Sequence, residues 1–228
     1  MADIEQQDRK GKLARPSSIS EGVYDRIYER IMALEIAPGA RIPIDALARD
    51  LNVSQTPVRE ALSMLEREGL VRKAHLIGYS AAPQLTRKEF DDLYTFRLLL
   101  EPEAARLACR NMTPEALARL ETDAADMGRG EPPVDRNSRY SRFARADAQF
   151  HDDILAIGGN QVIRQALADQ HVHLHIFRLM FHSRVTQEAL EEHERLLVAF
   201  REGDPEAAHQ AMYDHIDRSR ARLLLAYE

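Results

Sequence analysis

Between residues 44 and 68 the chain twice repeats a helical alternation of apolar and polar positions. Ile44, Leu47, Ala48 and Leu51 fall at i, i+3, i+4 and i+7, and Val58, Ala61, Leu62 and Leu65 repeat that spacing, so each segment carries one apolar stripe. A tight turn joins them. Ser54 is suited to cap the second helix, and Pro57 is tolerated in a first turn that has no internal N–H bond to lose. Burying both stripes leaves Gln55, Thr56 and Arg59 facing outward near a helix N-terminus, as a recognition helix presents side chains to a major groove. Upstream, residues 20–34 predict an amphipathic helix with Val23, Ile27, Ile31 and Leu34 inward, ended by Ala37-Pro38-Gly39. The second helix of the pair runs to Glu68, where Gly69 supplies a stop. Residues 70–75 and 79–82 predict two short strands around a turn at Gly78, a small wing, and residues 1–19 read as a disordered tail.

Pro83-Gln84-Leu85-Thr86 marks the expected boundary between a domain of residues 20–82 and one of residues 86–228. Beyond it the pattern predicts helices over about 86–110, 113–128, 136–157, 160–182, 186–202 and 204–227. Thr113-Pro114-Glu115 and Asp204-Pro205-Glu206 are cap-plus-proline starts, while Gly158-Gly159 and Glu202-Gly203 are stops. Residues 128–137 form the longest connecting loop, and no internal repeat is present. The expected fold class is mainly α: a winged helix-turn-helix followed by an all-helical six-helix antiparallel bundle.

Composition agrees with a globular protein: 228 residues, 44% hydrophobic and 30% charged. No run approaches the apolar length of a membrane span, and the polar first twenty residues lack the apolar core of a signal peptide. The single cysteine, Cys109, excludes an internal disulfide framework and fits a buried thiol in a cytoplasmic protein. Net charge is −6, which at first argues against nucleic acid. Residues 1–83 are net neutral, however, with 12 basic and 12 acidic side chains, so the acidity belongs to the second part. A neutral domain binds DNA when its basic residues gather on one face.

Pro38-Gly39 with Arg41, Leu47-Ala48, Val53-Ser54, residues 56–62 (Thr-Pro-Val-Arg-Glu-Ala-Leu), Leu65 and Glu68-Gly69-Leu70-Val71 resemble the DNA-binding domain of the GntR family of bacterial transcription regulators. Phe96-Arg97 with Leu100-Glu101, Asp147 through Phe150-His151, Glu192-His193, Gly203-Asp204, Ala207-Ala208, Met212 and His215 resemble the FCD effector domain of its FadR-type subfamily. The two resemblances cover roughly residues 20–225 and imply a homodimer controlled by an effector on a short palindromic double-stranded operator. They also imply major-groove or phosphate contacts from Arg41 and Arg59, with Ser54, Gln55 and Thr56 beside them. Arg49, Arg72, Lys73, His75 and Gly78 then serve as backbone or wing contacts. Two positions depart from the family pattern. Gln55 stands where many members carry Arg, and Gln suits the N6/N7 edge of adenine where Arg suits guanine. Ile77 stands at the wing tip, where a basic or amide residue is common.

Asp147 and His151 are four residues apart and share a helix face. His193 aligns with Ala189, Leu196, Leu197 and Phe200, and His215 with Ala208, Ala211, Met212 and Ser219, both on inward stripes. Three histidines and a carboxylate aimed at a bundle interior suit Zn, Ni, Mn or Fe with open positions, although an inward histidine taken alone is usually a hydrogen-bonded core residue. All four positions match the metal-binding branch of the FCD family, which implies a divalent transition metal. The run His171-Val172-His173-Leu174-His175, with Arg178 and His182, invites a second metal site. Residues two apart on a helix point about 200° apart, however, so His171 and His173 do not readily share an ion. His171 with His175, or His175 with Arg178, could face the cavity, with surface or core packing as the plainer reading. His171 and His175 are therefore candidate effector contacts. Arg97 is an i,i+4 partner for Glu101 and, by the resemblance, a candidate for the carboxylate of a small organic-acid effector. Two other classes remain at this stage: a metalloenzyme built on the bundle, and a DNA-binding protein whose metal and bundle are purely structural.

Overall fold

The computed structural model describes residues 19–128, 136–180 and 186–227. The expected tail before Ile19, most of the 128–137 loop and His182 lie outside the described residues. Helix α1 (Ile19–Met32) buries Val23, Ile27, Tyr28, Ile31 and Met32 and packs on α3 (Gln55–Arg67). Helix α2 (Ile44–Asp50) meets α3 through a turn in which Asn52 takes the left-handed conformation (φ 52°) that a short amide side chain tolerates. Strands β2 (Val71–Ala74) and β3 (Gly78–Ala81) pair antiparallel as the expected wing. A third strand, β1 (Arg41–Ile42), joins the free edge of β3 in the order β1-β3-β2, with Ile42 opposite Tyr79. Two residues carry too little periodicity for that strand to be read from the sequence.

The second part is helical. A capping box starts α4 (Arg87–Arg110): the Thr86 side chain accepts from the Glu89 amide, and the Glu89 carboxylate accepts from the Thr86 amide at 2.8 Å. Helices α5 (Pro114–Gly128) and α6 (Arg136–Gly158) follow, then α7 (Gln161–Ala168), α8 (Val172–Met180), α9 (Thr186–Glu202) and α10 (Pro205–Leu224). Asp204 caps α10 by accepting from the Glu206 and Ala207 amides, both at 3.0 Å. Helix α4 packs along α10 and α6, and α5 packs on α6 and α9. At the end of α6 a Cβ on Gly158 would stand 2.9 Å from the Ala104 carbonyl, so the close approach of α6 to α4 depends on glycine there.

The one helix expected over 160–182 is two. Residues 169–171 break it, and His171 adopts a left-handed backbone (φ 48°). No glycine or proline marks the break in the sequence; tertiary contacts hold it.

Helices α6 and α8 also carry the N-terminal part. Arg145 of α6 stacks 3.9 Å from the Tyr28 ring centroid and pairs with Asp25 at 2.8 Å. Arg178 of α8, buried, donates to the carbonyls of Ala82 and Pro83 at 2.5 and 3.4 Å.

Candidate functional site

The outward face of α3 is as the period requires: Ser54, Gln55, Thr56 and Arg59 are exposed, as are Arg41 and Arg49. The Ser54 hydroxyl makes no capping bond and is free for an outside acceptor. Gln55 is engaged, donating to Asp45 at 2.5 Å and accepting from Arg59 at 3.2 Å. This three-residue chain ties the start of α2 to the start of α3. On the wing, Arg72, Lys73, His75 and Gly78 are exposed, and Lys73 lies 5.5 Å from the centroid of the Tyr79 ring. Leu76 and Ile77 at the tip are exposed apolar side chains.

Inside the bundle α6, α9 and α10 bring Asp147, His151, His193 and His215 together, all buried. One nitrogen from each of the three imidazoles lies within 4.8 Å of the others. Asp147 Oδ1 stands 3.4 Å from His193 Nε2. Burial holds all three rings below the ordinary histidine pKa, and so neutral, although Glu101 and Glu192 pull His151 and His215 the other way. A neutral imidazole is the ligating form.

Each of two rings is held by a carboxylate at Nδ1: His151 by Glu101 at 3.0 Å, and His215 by Glu192 at 2.9 Å. Arginines brace both carboxylates in turn. Arg97 pairs with Glu101 through two bonds of 2.5 and 3.2 Å, and Arg222 with Glu192 through two of 2.7 and 2.9 Å. Burial alone would raise the pKa of Glu101; the Arg97 guanidinium and the His151 ring together outweigh it and hold the carboxyl well below the carboxylate range. Burial likewise opposes ionisation of Asp147, and the bond from His173 Nδ1, at 2.9 Å, helps to overcome it.

Fit to a metal rests on groups left without partners. His151 Nε2 and both ring nitrogens of His193 are buried and make no hydrogen bond. Two rings with unpaired buried nitrogens are costly as core, and each could offer one nitrogen to an ion, the second His193 nitrogen carrying the proton. The imidazoles of His151, His193 and His215 lie close enough to share an ion, with the Asp147 carboxylate 3.4 Å from His193, and Glu101 and Glu192 orient two of the rings.

A cavity of about 220 Å³ opens beside His151. His171 and His173 both line it, with Glu101, Ala148 and Leu155. The rule that residues two apart diverge by about 200° fails here because His171 sits in the break before α8 rather than on the helix. The other two candidate effector contacts are not brought to this cavity. Arg97 is committed to Glu101 beneath His151, and His175 lines a separate hollow with Leu85, Glu89 and Phe96.

Sequence reasoning missed Glu192, Arg222 and His173. Glu192 adjoins His193 but serves His215 on the next helix, which no spacing along one helix predicts. A buried acid beside a histidine was the available signal.

Residues 19–79 match the family described as bacterial regulatory proteins, gntR family, and residues 92–218 match the FCD domain. The chain belongs to the gntR family and carries an FCD domain. It is 26% identical over 208 residues to the HTH-type transcriptional regulator YdhC of Bacillus subtilis, covering 90% of this chain and 91% of that one. It is 28% identical over 210 residues to the probable D-xylose utilization operon transcriptional repressor of Paenarthrobacter nicotinovorans, covering 92% and 90%. In fold it is similar to E. coli McbR/YncC, with a TM-score of 0.69 at 22% identity over 93% of this chain and 100% of that one. This gntR-family protein is thus a transcriptional regulator with a DNA-binding helix-turn-helix, and its family and relatives are regulators rather than enzymes. No helix among the described residues is long and apolar enough to cross a membrane.

Proposed function

We propose that the chain is a cytoplasmic, homodimeric regulator whose affinity for a palindromic operator is set by a small organic acid bound at a metal in the FCD bundle. Residues 20–82 read DNA, and residues 86–228 dimerise and bind the effector. Asp147, His151, His193 and His215 hold a divalent transition metal, Zn, Ni, Mn or Fe. One observation carries the metal: the two bare ring nitrogens of fully buried His193, with the bare Nε2 of His151 beside the cavity. A bound ion would supply a Lewis-acidic attachment point for an effector carboxylate.

The protein's own residues do the remainder. Glu101 and Glu192 accept the Nδ1 protons of His151 and His215, which fixes the tautomer that bares Nε2. His173 keeps Asp147 ionised and offers the cavity a ring edge, and His171 closes it from the side of α3. On the DNA side Arg59 and Arg41 supply the charged contacts, with Arg49, Ser54, Thr56, His75 and Gly78 placing the chain on the backbone and wing. Gln55 reads adenine after exchanging its bond to Asp45 for the base edge.

Elemental analysis of wild type and His193→Ala, each tested on randomised duplex DNA with and without a panel of carboxylates, decides between outcomes. About one metal per chain, lost in the variant, with acid-sensitive binding to a palindrome is expected. Tight palindrome binding without metal would reduce the four residues to ordinary core. Metal without any acid response would make the ion structural.

A further inference from the structure

His171 touches both halves of the molecule. It lines the cavity beside His151 and His173. Its ring also lies over Gly69, the residue that follows the C-cap of recognition helix α3: a Cβ built on Gly69 would stand 2.4 Å from His171 Cδ2 and 2.8 Å from Cγ. Only a residue without a side chain admits that ring, and Gly69 also holds the left-handed backbone (φ 72°) that ends α3. His171 itself is strained, with φ 48° and no glycine-like freedom, in the three-residue break between α7 and α8. A left-handed non-glycine residue costs about 1 kcal/mol or more and persists where its surroundings over-determine it. Here those surroundings are the cavity on one side and the end of α3 on the other.

We infer that His171 is the positioning residue through which occupancy of the FCD cavity reaches the recognition helix, its ring transmitting movement of the cavity wall to Gly69. The inference deepens the effector-site reading and rests on it for the identity of the natural signal. Helix α8 gives the wall a defined path. It starts directly after His171, carries His173 on Asp147 at 2.9 Å, and is seated by Arg178 on the Ala82 carbonyl at 2.5 Å. A group entering beside His151 and His173 therefore pushes on a strained segment whose His171 ring rests on Gly69. The ring contact is direct, so no intervening side chain is needed between cavity and α3.

The test fills the cavity without a ligand. Ala148→Leu adds three carbons to its wall, and its effect is compared in wild type and in His171→Gly, a substitution that suits φ 48° and removes the ring. The readouts are affinity for duplex DNA selected by the wild-type protein and amide exchange of residues 65–70, which needs no DNA. Ala148→Leu is expected to shift affinity by about fivefold or more and to alter exchange at the end of α3. In the His171→Gly background the shift is expected to fall below about twofold, a non-additivity that the double-mutant cycle measures directly. His171→Asn, which also tolerates a left-handed backbone, repeats the measurement if the glycine variant folds poorly. An equal shift with and without the ring, or no shift in either readout, overturns the inference. Titration of wild type with Zn²⁺, repeated with Ni²⁺, Mn²⁺ and Fe²⁺, separates the two ideas. Coupling through His171 in a protein that binds none of the four ions removes the metal reading and leaves the transmission, whereas metal binding with ring-independent coupling does the reverse.

Discussion

Arg97→Met isolates the most deeply buried ion pair of the site. Arg97 and Glu101 are 2% and 3% exposed, and two bonds of 2.5 and 3.2 Å join them. In the wild type Glu101 Oε1 accepts from Arg97, and Oε2 accepts from Arg97 and from His151 Nδ1 at 3.0 Å. Methionine fills much of the space of the arginine stem but leaves Oε1 with no donor and a carboxylate with no countercharge. At an effective dielectric near 20 a pair in contact is worth about 4 kcal/mol, and breaking a buried pair from one side typically costs about 3–5 kcal/mol. We therefore expect a loss of about 3–5 kcal/mol in urea unfolding followed by circular dichroism. Without the guanidinium, burial dominates Glu101 and raises its proton affinity. The extra proton is shared with His151 Nδ1, so the tautomer that bares Nε2 is no longer secured, and metal affinity should drop about 10- to 100-fold. Adding Glu101→Gln removes the orphaned charge and should restore at least half of the stability but not the full metal affinity. A cost below about 1 kcal/mol for Arg97→Met, or a double variant no more stable than the single, would refute this account of the pair.

The remaining predictions concern pH, the linker and the operator. Metal-free protein should lose stability on acidification. The fold, through burial and then the nearby Arg178 and His171, pushes His175 down from 6.5 to about 4, so the unfolded chain takes up the proton first. That contribution is complete above pH 6.5 and disappears between 6.5 and 4, about 3 kcal/mol in all. His151, His193 and His215 act in the same direction; thermal melts that stay level from pH 7.5 to 5 would contradict the neutral rings. Arg178→Met should destabilise by about 2–4 kcal/mol and speed proteolysis around residues 82–86, because the Ala82 carbonyl loses its 2.5 Å donor. Gln55→Arg should move operator preference at one base pair from adenine to guanine by about 1–3 kcal/mol, whereas Arg59→Ala should weaken binding; selection on randomised duplexes reads both, and an unchanged preference in Gln55→Arg removes Gln55 from base readout.

The parts legible in the chain are those written within one or two turns of it. Apolar spacing set the faces of α2 and α3 and left Gln55, Thr56 and Arg59 outside. Thr86 with Glu89, Asp204 with Pro205, and the glycines at 159 and 203 bounded their helices through local hydrogen bonds and backbone freedom. The same periodicity turned His151, His193 and His215 inward, so the identity of the candidate ligands needed no tertiary information. Their braces did. Glu192 sits on α9 yet serves His215 on α10, and His173 reaches Asp147 from 26 residues away, pairings decided by how helices cross. Arg97 meets Glu101 as its i,i+4 spacing predicted, but that the pair braces His151 on α6 depended on packing. The break at His171 is the clearest case: neither glycine nor proline marks it in the sequence, and the left-handed residue sits where its ring meets both the cavity and Gly69. Local periodicity fixes which side of a helix faces inward; only packing between distant helices fixes what it meets there.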